Sequence, residues 1–289
     1  MQVSTPVSLT VRLAQMRPVL GDVAQNLQRH LELAEAAAAE GVDLIVFPEM
    51  SLCGYYVRDL AAEVALRRDA GELAALAEAS RKVSILAGYV EETPECFLRL
   101  CAGYFEQGAL VARHHKVYLP TYGMFDEERY FAAGERVRAF ATRFGRMAAL
   151  VCEDLWHPST AYIAALDGAQ IILAPANSPA RGARGPLWDT ARAYEALLTT
   201  YALLFGVYVV FVNRVGYEDG VHFWGGSRVI GPDGSPLAPP AGAEEETPTL
   251  TLDLGAVRRA RIEAPLLADE RLDLVVRELR RIADERARD

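Results

Sequence analysis

The sequence predicts an α/β fold in which helices lie outside layered strands, and two observations support this prediction. Short apolar runs typical of strands alternate along the chain with longer segments whose apolar residues recur at helical spacing. The 289 residues, 51% of them hydrophobic, suffice for one large core, and no low-complexity linker or repeat divides them. We therefore expect a single layered domain over residues 1–289.

The N-terminal part of the chain is predicted to form strand, helix, strand and helix in turn. Apolar and polar side chains alternate in the first strand, as they do when one face is buried. The first helix has apolar residues at helical spacing, with Asp22 as its N-cap and Gly41 at its end. Pro48 interrupts the second strand. The four predicted ranges are 7–16, 22–41, 42–50 and 58–80.

The middle of the chain is predicted to be rich in strands. Gln107-Gly108 is a plausible hairpin turn between two of them, and Gly145 separates another pair. The predicted elements are strands at 83–92, 96–108 and 109–119, a strand pair over 136–152, a helix at about 158–167 and a strand at 169–177.

The C-terminal part is predicted to contain two long helices separated by strands. Pro186 stands near the first turn of the first helix, where proline is tolerated. A hairpin is expected to turn at residues 232–234. The predicted elements are a helix at 185–206, a strand at 207–213, a hairpin at 225–237, a strand at 247–255 and a charged tail helix at about 268–287.

Composition excludes several classes of function. A net charge of −9 argues against a general nucleic-acid surface, and no apolar run reaches the length of a membrane span. Four cysteines fit neither a metal-ligand spacing nor a disulfide scaffold, and the N-terminus has no signal-peptide pattern. No phosphate-loop or GxGxxG motif supports a nucleotide cofactor. We expect a reduced, cytoplasmic protein.

Three strands end in residues that together suit nucleophilic catalysis. Glu49 follows one apolar run, Lys116 follows another, and Cys152 ends the run ALVC. Reactive side chains collect at strand ends in layered α/β folds. Glu49 has the chemistry of a general base for the thiol, and Lys116 that of a cation that favours thiolate and stabilises an oxyanion. Only Lys82 and Lys116 are lysines among 30 basic residues.

Residue chemistry alone leaves a structural interpretation open for each of the three. Glu49 also suits capping of the segment after Pro48, and Lys116 suits a charge on an edge strand. Cys152 also suits a small buried apolar residue, since free cysteines are commonly buried.

The motifs LIVFPEM, KVYLPTYGMFDEERYFAAG and LVCEDLW, in this order, resemble the signatures of the nitrilase (carbon–nitrogen hydrolase) superfamily. The resemblance extends over essentially the whole chain and implies a four-layer αββα sandwich that pairs with a second copy. It also implies that Glu49 is the base, Lys116 the oxyanion-stabilising cation and Cys152 the nucleophile. Glu127, rather than the adjacent Glu128, matches a further glutamate that orients the lysine and the substrate amide.

The resemblance implies hydrolysis of an amide in two steps through a cysteine thioester, with ammonia released and no metal or organic cofactor needed. Within the superfamily, the chain is most similar to the glutaminase domain of glutamine-dependent NAD synthetases. In that group the positions of Tyr122, Glu153 and Ser178 help to hold the amino-acid end of glutamine. Arg181 or Arg184 suits a substrate carboxylate. Each of these residues also has an ordinary structural interpretation as packing, support or a cap.

Two enzymatic interpretations stay open, because the sequence carries no ATP-pyrophosphatase loop rich in Ser and Gly. One is a glutaminase subunit that supplies ammonia to a separate synthetase partner, and the other is a free-standing amidase acting on a small ω-amide. Trp156 stands where many carbamoyl-hydrolysing relatives have arginine, which disfavours N-carbamoyl substrates. A nitrile is the least favoured substrate, and a non-catalytic binding protein is the alternative from another class.

Pocket and assembly expectations complete the sequence-based hypothesis. Aromatic residues near the three motifs are candidates for pocket walls, although core packing is their commoner role. The resemblance places a dimer face on the helix after Cys152 and on the helix at 185–206, and we expect a homodimer or a higher homo-oligomer. The candidate wall residues are Tyr55, Tyr56, Phe125, Trp156 and Trp188.

Overall fold

Two β-sheets lie face to face, and helices pack against their outer faces. This computed structural model describes residues 7–182 and 187–288. The helices are α1 (Val23–Ala39), α2 (Gly71–Ala79), α3 (Pro158–Leu166), α4 (Asp189–Phe205), α5 (Gly255–Glu263) and α6 (Leu272–Arg286). The strands are β1 (Ser8–Leu13), β2 (Leu44–Val46), β3 (Ser84–Glu92), β4 (Leu98–Glu106), β5 (Ala109–His115), β6 (Phe140–Thr142), β7 (Gly145–Ala149), β8 (Ile171–Ala176), β9 (Tyr208–Asn213), β10 (Val215–Glu218), β11 (Val221–Trp224), β12 (Arg228–Ile230) and β13 (Thr249–Asp253).

The two large sheets each have a parallel centre. The first has six strands in the order β13-β1-β2-β3-β4-β5, and the second has five in the order β12-β9-β8-β7-β6. Strands β1, β2 and β3 are mutually parallel, as are β7, β8 and β9. Strands β10 and β11 form a separate hairpin. Consecutive parallel strands need a crossover, and the crossovers here contain α1, α2, α3 and α4.

Alternation of side chains along the strands builds the layers. In β2, Leu44 and Val46 join an apolar cluster that reaches across to β7, β8 and β9, so part of this cluster fills the space between the sheets. Ile45, between them, joins a second cluster with residues of α1 and α2. On the other side, Tyr194 and Leu198 of α4 are buried against the second sheet. The layers form the expected four-layer αββα sandwich.

Strand direction brings four chain segments to one region. Because β3 and β4 are antiparallel, and β4 and β5 are too, β5 runs in the same direction as β2. The carboxyl ends of β2 and β5 therefore lie at one edge of the first sheet, and those of β7 and β8 at one edge of the second. The residues that follow these four ends include Glu49, Lys116, Cys152 and Ser178.

Several local predictions agree with the structure because local chemistry decides them. The Asp22 carboxylate accepts a hydrogen bond from the Gln25 N–H at 2.9 Å, as an N-cap does. Gln107 and Gly108 have φ angles of 53° and 85°, which two-residue hairpins with the twist of the flanking strands require.

The predicted helix over 58–80 is wrong in its middle. A 3-10 turn covers Arg58–Ala62, but α2 begins only at Gly71. Between them, the Leu66 N–H donates to the Val90 carbonyl, and the Glu92 N–H donates to the Leu66 carbonyl. These two bonds to β3 satisfy the backbone N–H and C=O of Leu66 without a helix. A tertiary contact therefore interrupts a segment whose apolar pattern is helical.

Other differences concern the C-terminal half. The hairpin of β10 and β11 and the short helix α5 were not predicted. Pro186 and the predicted helix start at residue 185 lie outside the described residues, and the described α4 begins at Asp189. Among the described residues, no helix combines the length and the hydropathy that crossing a bilayer requires.

Candidate active site

Glu49, Lys116 and Glu127 form a buried hydrogen-bonded cluster. The Lys116 Nζ donates to Glu49 Oε1 and to Glu127 Oε1, both at 2.8 Å. The Tyr55 hydroxyl donates to the same Glu127 oxygen at 2.6 Å. All four side chains are at least nine-tenths buried. We call Glu49, Lys116, Glu127 and Tyr55 the inner cluster.

The remaining contacts of Glu49 hold it at the end of the second sheet. Its Oε2 accepts a hydrogen bond from the Asn177 backbone N–H at 2.9 Å, and the Asn177 Nδ2 donates to the Glu49 carbonyl at 2.8 Å. Asn177 follows β8, so these bonds join an end of the second sheet to the segment after β2. Both Glu49 oxygens are therefore hydrogen-bonded.

A glycine lets the Glu49 segment lie close to β3. A Cβ atom on Gly88 would stand 2.4 Å from the Met50 nitrogen and 2.6 Å from the Pro48 carbonyl oxygen. These neighbours are backbone atoms, which cannot rotate away as a side chain would. Glycine at residue 88 thus allows the backbone around Glu49 to approach the sheet.

Burial and charge oppose each other inside the cluster. Burial lowers the pKa of Lys116, but the nearby Glu127, Glu49 and Cys152 outweigh it and raise that pKa well above its ordinary value. Burial raises the pKa of Glu127 to about 7, although Lys116 acts in the opposite direction. Lys116 is therefore an ammonium, and Glu127 titrates near neutral pH. Glu127 Oε2 is buried and has no hydrogen-bond partner among the described residues.

Cys152 lies at the start of a sharp turn after β7. Its φ of 48° is in the left-handed region, which residues with a side chain seldom adopt. Its Sγ lies 3.4 Å from the Tyr194 hydroxyl. Burial raises the pKa of the Cys152 thiol, and Glu49 raises it further, while Lys116 lowers it. The resting thiol is thus protonated and needs a base in order to act as a nucleophile.

A cavity of about 150 Å³ opens beside the thiol. Tyr122, Glu153, Trp156 and Ser178 line it together with Cys152, so the structure brings the four predicted substrate-binding residues to the same place.

The wall of this cavity contains several polar groups. The Tyr122 hydroxyl lies 3.1 Å and 3.0 Å from the two carboxylate oxygens of Glu153 and donates to them. Ser178 Oγ accepts a hydrogen bond from Trp224 Nε1 at 3.0 Å, which leaves its own hydrogen available for donation. Arg181 also lines the cavity, whereas Arg184 lies outside the described residues.

The predicted aromatic wall is divided between two cavities. Phe125 and Trp156 line the cavity beside Cys152. Tyr55 and Tyr56 instead line a neighbouring cavity of about 350 Å³, which Glu127 also lines. Trp188 packs edge-on against His222 and is not among the described lining residues of either cavity.

Asp154 is a residue that the sequence analysis did not select, and it connects the lysine and cysteine segments. Its Oδ1 accepts hydrogen bonds from the N–H groups of Val117 and Tyr118, directly after Lys116. Its Oδ2 accepts from the Val151 N–H, directly before Cys152, and from His114 Nε2 at 2.8 Å. Burial opposes ionisation, but the His114 contact and the backbone bonds lower the pKa of Asp154. Two adjacent acids after the cysteine were the only local signal of this role.

One group of described side chains has the composition of a metal site. Ligand atoms of Glu91, Cys101 and His115 lie within 4.8 Å of one another. The Glu91 carboxylate, however, already pairs with the Arg113 guanidinium and with His115 Nε2. A guanidinium at the carboxylate disfavours a metal cation there, and the group is better described as an ion-pair cluster.

Comparisons with known proteins identify the family of the chain. A family model described as carbon-nitrogen hydrolase matches residues 10–262. A glutamine-dependent NAD(+) synthetase of Thermotoga maritima is 31% identical over 265 residues, which are 89% of this chain and 44% of that protein. The structure of a glutamine-dependent NAD+ synthetase from Acinetobacter baumannii has a TM-score of 0.76 at 28% identity, over 85% of this chain and 46% of that one.

A further solved structure is that of a mutant of the amidase from Nesterenkonia sp. AN1. It has a TM-score of 0.78 at 26% identity, over 93% of this chain and 96% of that one, and it shows the acetamide moiety of fluoroacetamide added covalently at the active-site cysteine.

The chain spans about half the length of the synthetases that it matches. These comparisons confirm the resemblance to the nitrilase superfamily and the α/β sandwich fold. Since the family model covers most of the chain, the protein belongs to the carbon-nitrogen hydrolase family and is an enzyme of that class.

Proposed function

We propose that this enzyme hydrolyses a small-molecule amide, with glutamine or another ω-amide favoured, and releases ammonia. The observation that carries the proposal is the Lys116 ammonium held between two carboxylates and close enough to Cys152 to shift the pKa of its thiol. A base, a cation and a thiol in a water-poor site are the groups that acyl transfer to cysteine requires.

The proposed first step forms a thioester. Cys152 Sγ attacks the amide carbonyl carbon while its proton passes to Glu49, and Lys116 Nζ stabilises the oxyanion. The carbon–nitrogen bond then breaks, and the proton from Glu49 leaves with ammonia. Glu127 Oε2 has no hydrogen-bond partner among the described residues, and in this proposal it accepts a hydrogen bond from the amide N–H.

The proposed second step hydrolyses the thioester. A water molecule loses a proton to Glu49 and attacks the thioester carbonyl, and the acid product leaves as the thiol is restored. Neither step needs a metal or an organic cofactor.

The groups around the cavity favour a substrate with a charged amino-acid end. The Glu153 carboxylate suits an ammonium, and the Ser178 hydroxyl and the Arg181 guanidinium suit a carboxylate. A cavity of about 150 Å³ accommodates a small amide better than a peptide. N-carbamoyl compounds are the second candidate, disfavoured because Trp156 lines this cavity and offers one donor in place of an arginine fork.

The assembly is part of the same proposal. Ile163 on α3 and the neighbouring Leu203 and Leu204 on α4 are large exposed apolar side chains, which suits a homodimer formed through these helices. The matched relatives named as glutamine-dependent NAD(+) synthetases support a synthetase as the recipient of the ammonia. Sedimentation of the purified protein tests the dimer, which a monomer at micromolar concentration would contradict.

Ammonia release from purified protein tests the reaction. The panel contains glutamine, asparagine, simple ω-amides, N-carbamoyl amino acids and a nitrile. Cys152→Ala is compared with Cys96→Ala, which removes an exposed thiol. We expect release from glutamine or another ω-amide by wild type and by Cys96→Ala, and none by Cys152→Ala.

Two results would contradict the proposal. Equal release by Cys152→Ala would exclude the thioester. No release from any substrate of the panel by wild type would favour a non-catalytic binding protein.

A further inference from the structure

A third cavity lies away from the cysteine, along the edge strand of the six-stranded sheet. It has a volume of about 420 Å³, and six of its nine described lining residues carry cationic or titratable basic side chains. Glu135 is the only acid among them. This lining is unusual for a chain with 39 acidic and 30 basic residues. The six are Arg99, Arg113, His114, His115, Arg136 and Arg138.

Carboxylates near the cavity pair with some of these cations. Arg113 and His115 both contact Glu91, which lies behind the cavity. Arg99 pairs with Glu135 at 2.8 Å. His114 donates to the buried Asp154.

Two arginines remain. Arg136 and Arg138 are exposed, and neither forms an ion pair with any residue that the structure describes. The concave surface therefore carries surplus positive charge, which favours an anion.

Arginine abundance alone does not explain the cavity. On the exposed helix α6, arginines pair with acids one turn away, as Arg277 does with Asp273 and Arg281 with Glu285. The cavity shows the opposite pattern, because its basic side chains converge from β4, β5 and the segment before β6 while the acids lie behind or beside them.

We propose that this cavity binds the phosphate groups of a small phosphorylated molecule. Guanidinium groups match phosphate oxygens in paired hydrogen bonds, and several guanidiniums together favour an anion with more than one negative charge. The volume exceeds that of a single phosphate and lies in the range typical of small-molecule sites. Phe140 adds an apolar wall against which the rest of such a molecule can pack.

Calorimetric titration tests the site without reference to hydrolysis, so its outcome is separate from that of the proposed amidase reaction. Tripolyphosphate and ATP are titrated into the full chain at about 0.15 M salt, where weak surface attraction is screened. The test variant is Arg136→Ala/Arg138→Ala, which removes two exposed side chains. The matched control is Arg277→Ala/Arg280→Ala, which removes two exposed arginines of α6.

We expect saturable binding with one site per chain in wild type and control, and an affinity about tenfold or more weaker in the cavity variant, since two charge-assisted contacts are lost. Equal affinities for tripolyphosphate and ATP mean that the phosphates alone are recognised. Tighter binding of ATP means that the apolar wall at Phe140 also binds the rest of the molecule. No saturable binding in wild type, or an equal loss in the control variant, overturns the proposal.

Discussion

The inner cluster and the outer wall of the cavity beside Cys152 differ in how the fold holds them. The outer wall consists of Tyr122, Trp156 and Arg181. Inner-cluster side chains follow strand ends or are tied to groups that do, and they are almost fully buried. Tyr122 is instead 51% exposed and Trp156 37% exposed.

We expect this difference to separate chemistry from recognition. Rigid, buried groups keep their geometry without help from the substrate, which is what stabilising a transition state requires. Groups on exposed loops can adjust to a ligand, and their loss is less costly. Changes to the inner cluster should therefore lower kcat severely, and changes to the outer wall should mainly raise KM.

The largest effect is expected for Lys116→Arg. The Lys116 ammonium fits between two carboxylates in a fully buried space, and a planar guanidinium is larger and differs in shape. We expect kcat/KM for ammonia release to fall about 10³-fold, as for loss of an oxyanion donor.

Lys82→Arg is the matched control, because Lys82 is the other lysine of the chain and is exposed. It should leave the rate unchanged. Full activity of Lys116→Arg would mean that the inner cluster takes no part in the reaction.

Glu127→Gln is expected to lower the rate about 10²-fold and also to change its pH dependence. The pKa of Glu127 is raised to about 7, so the carboxylate acquires a proton as the pH falls through that value. If the carboxylate accepts the substrate N–H, wild-type kcat/KM declines below about pH 7. This decline should be absent in Glu127→Gln, measured from pH 5.5 to 8.5, about one and a half pH steps either side of that pKa. Glu128→Gln, one residue away, should keep the wild-type profile.

A loss of about 10²-fold in kcat is expected for Asp154→Asn, because a small displacement of reacting groups has that effect. The side-chain oxygen of asparagine can still accept hydrogen bonds from the N–H groups of Val117 and Tyr118. The asparagine NH2 group, however, would face the Val151 N–H, and two donors repel each other. The segments of Lys116 and Cys152 would then separate while the outer wall stays intact, so KM should change little.

Asp167→Asn is the control for that variant, since Asp167 accepts a backbone hydrogen bond from Ala139 far from the cysteine. It should leave kcat unchanged. If Asp154→Asn raised KM and left kcat unchanged, Asp154 would act in substrate binding. The proposed division between the inner cluster and the outer wall would then be wrong.

The smallest effect is expected for Tyr122→Phe. This change removes one hydroxyl that donates to Glu153 and leaves the ring in place. We expect KM for glutamine to rise by less than about tenfold with kcat nearly unchanged, as for loss of a single hydrogen bond to a charged group. Tyr217→Phe, on an exposed tyrosine of β10, is the control. If Tyr122→Phe lowered kcat as much as Glu127→Gln does, the outer wall and the inner cluster would not differ in their roles.

The sequence determined by itself the features that depend on neighbours along the chain. Apolar alternation, the Asp22 cap and the Gln107-Gly108 turn involve residues a few positions apart, so their patterns are readable locally. The strand-end positions of Glu49, Lys116 and Cys152 were readable for the same reason. Their proposed roles came from a resemblance across three motifs and stay predictions until variants are measured.

Only the tertiary structure decided which distant groups meet. Leu66 pairs with β3 and interrupts a helical pattern, Tyr55 donates to Glu127, and Asp154 joins the segments on either side of it. The same holds for the convergence of arginines at the sheet edge. The physical reason is that a hydrogen bond between residues far apart in the chain leaves no periodicity in the sequence, and depends on the strand order that brings the segments together.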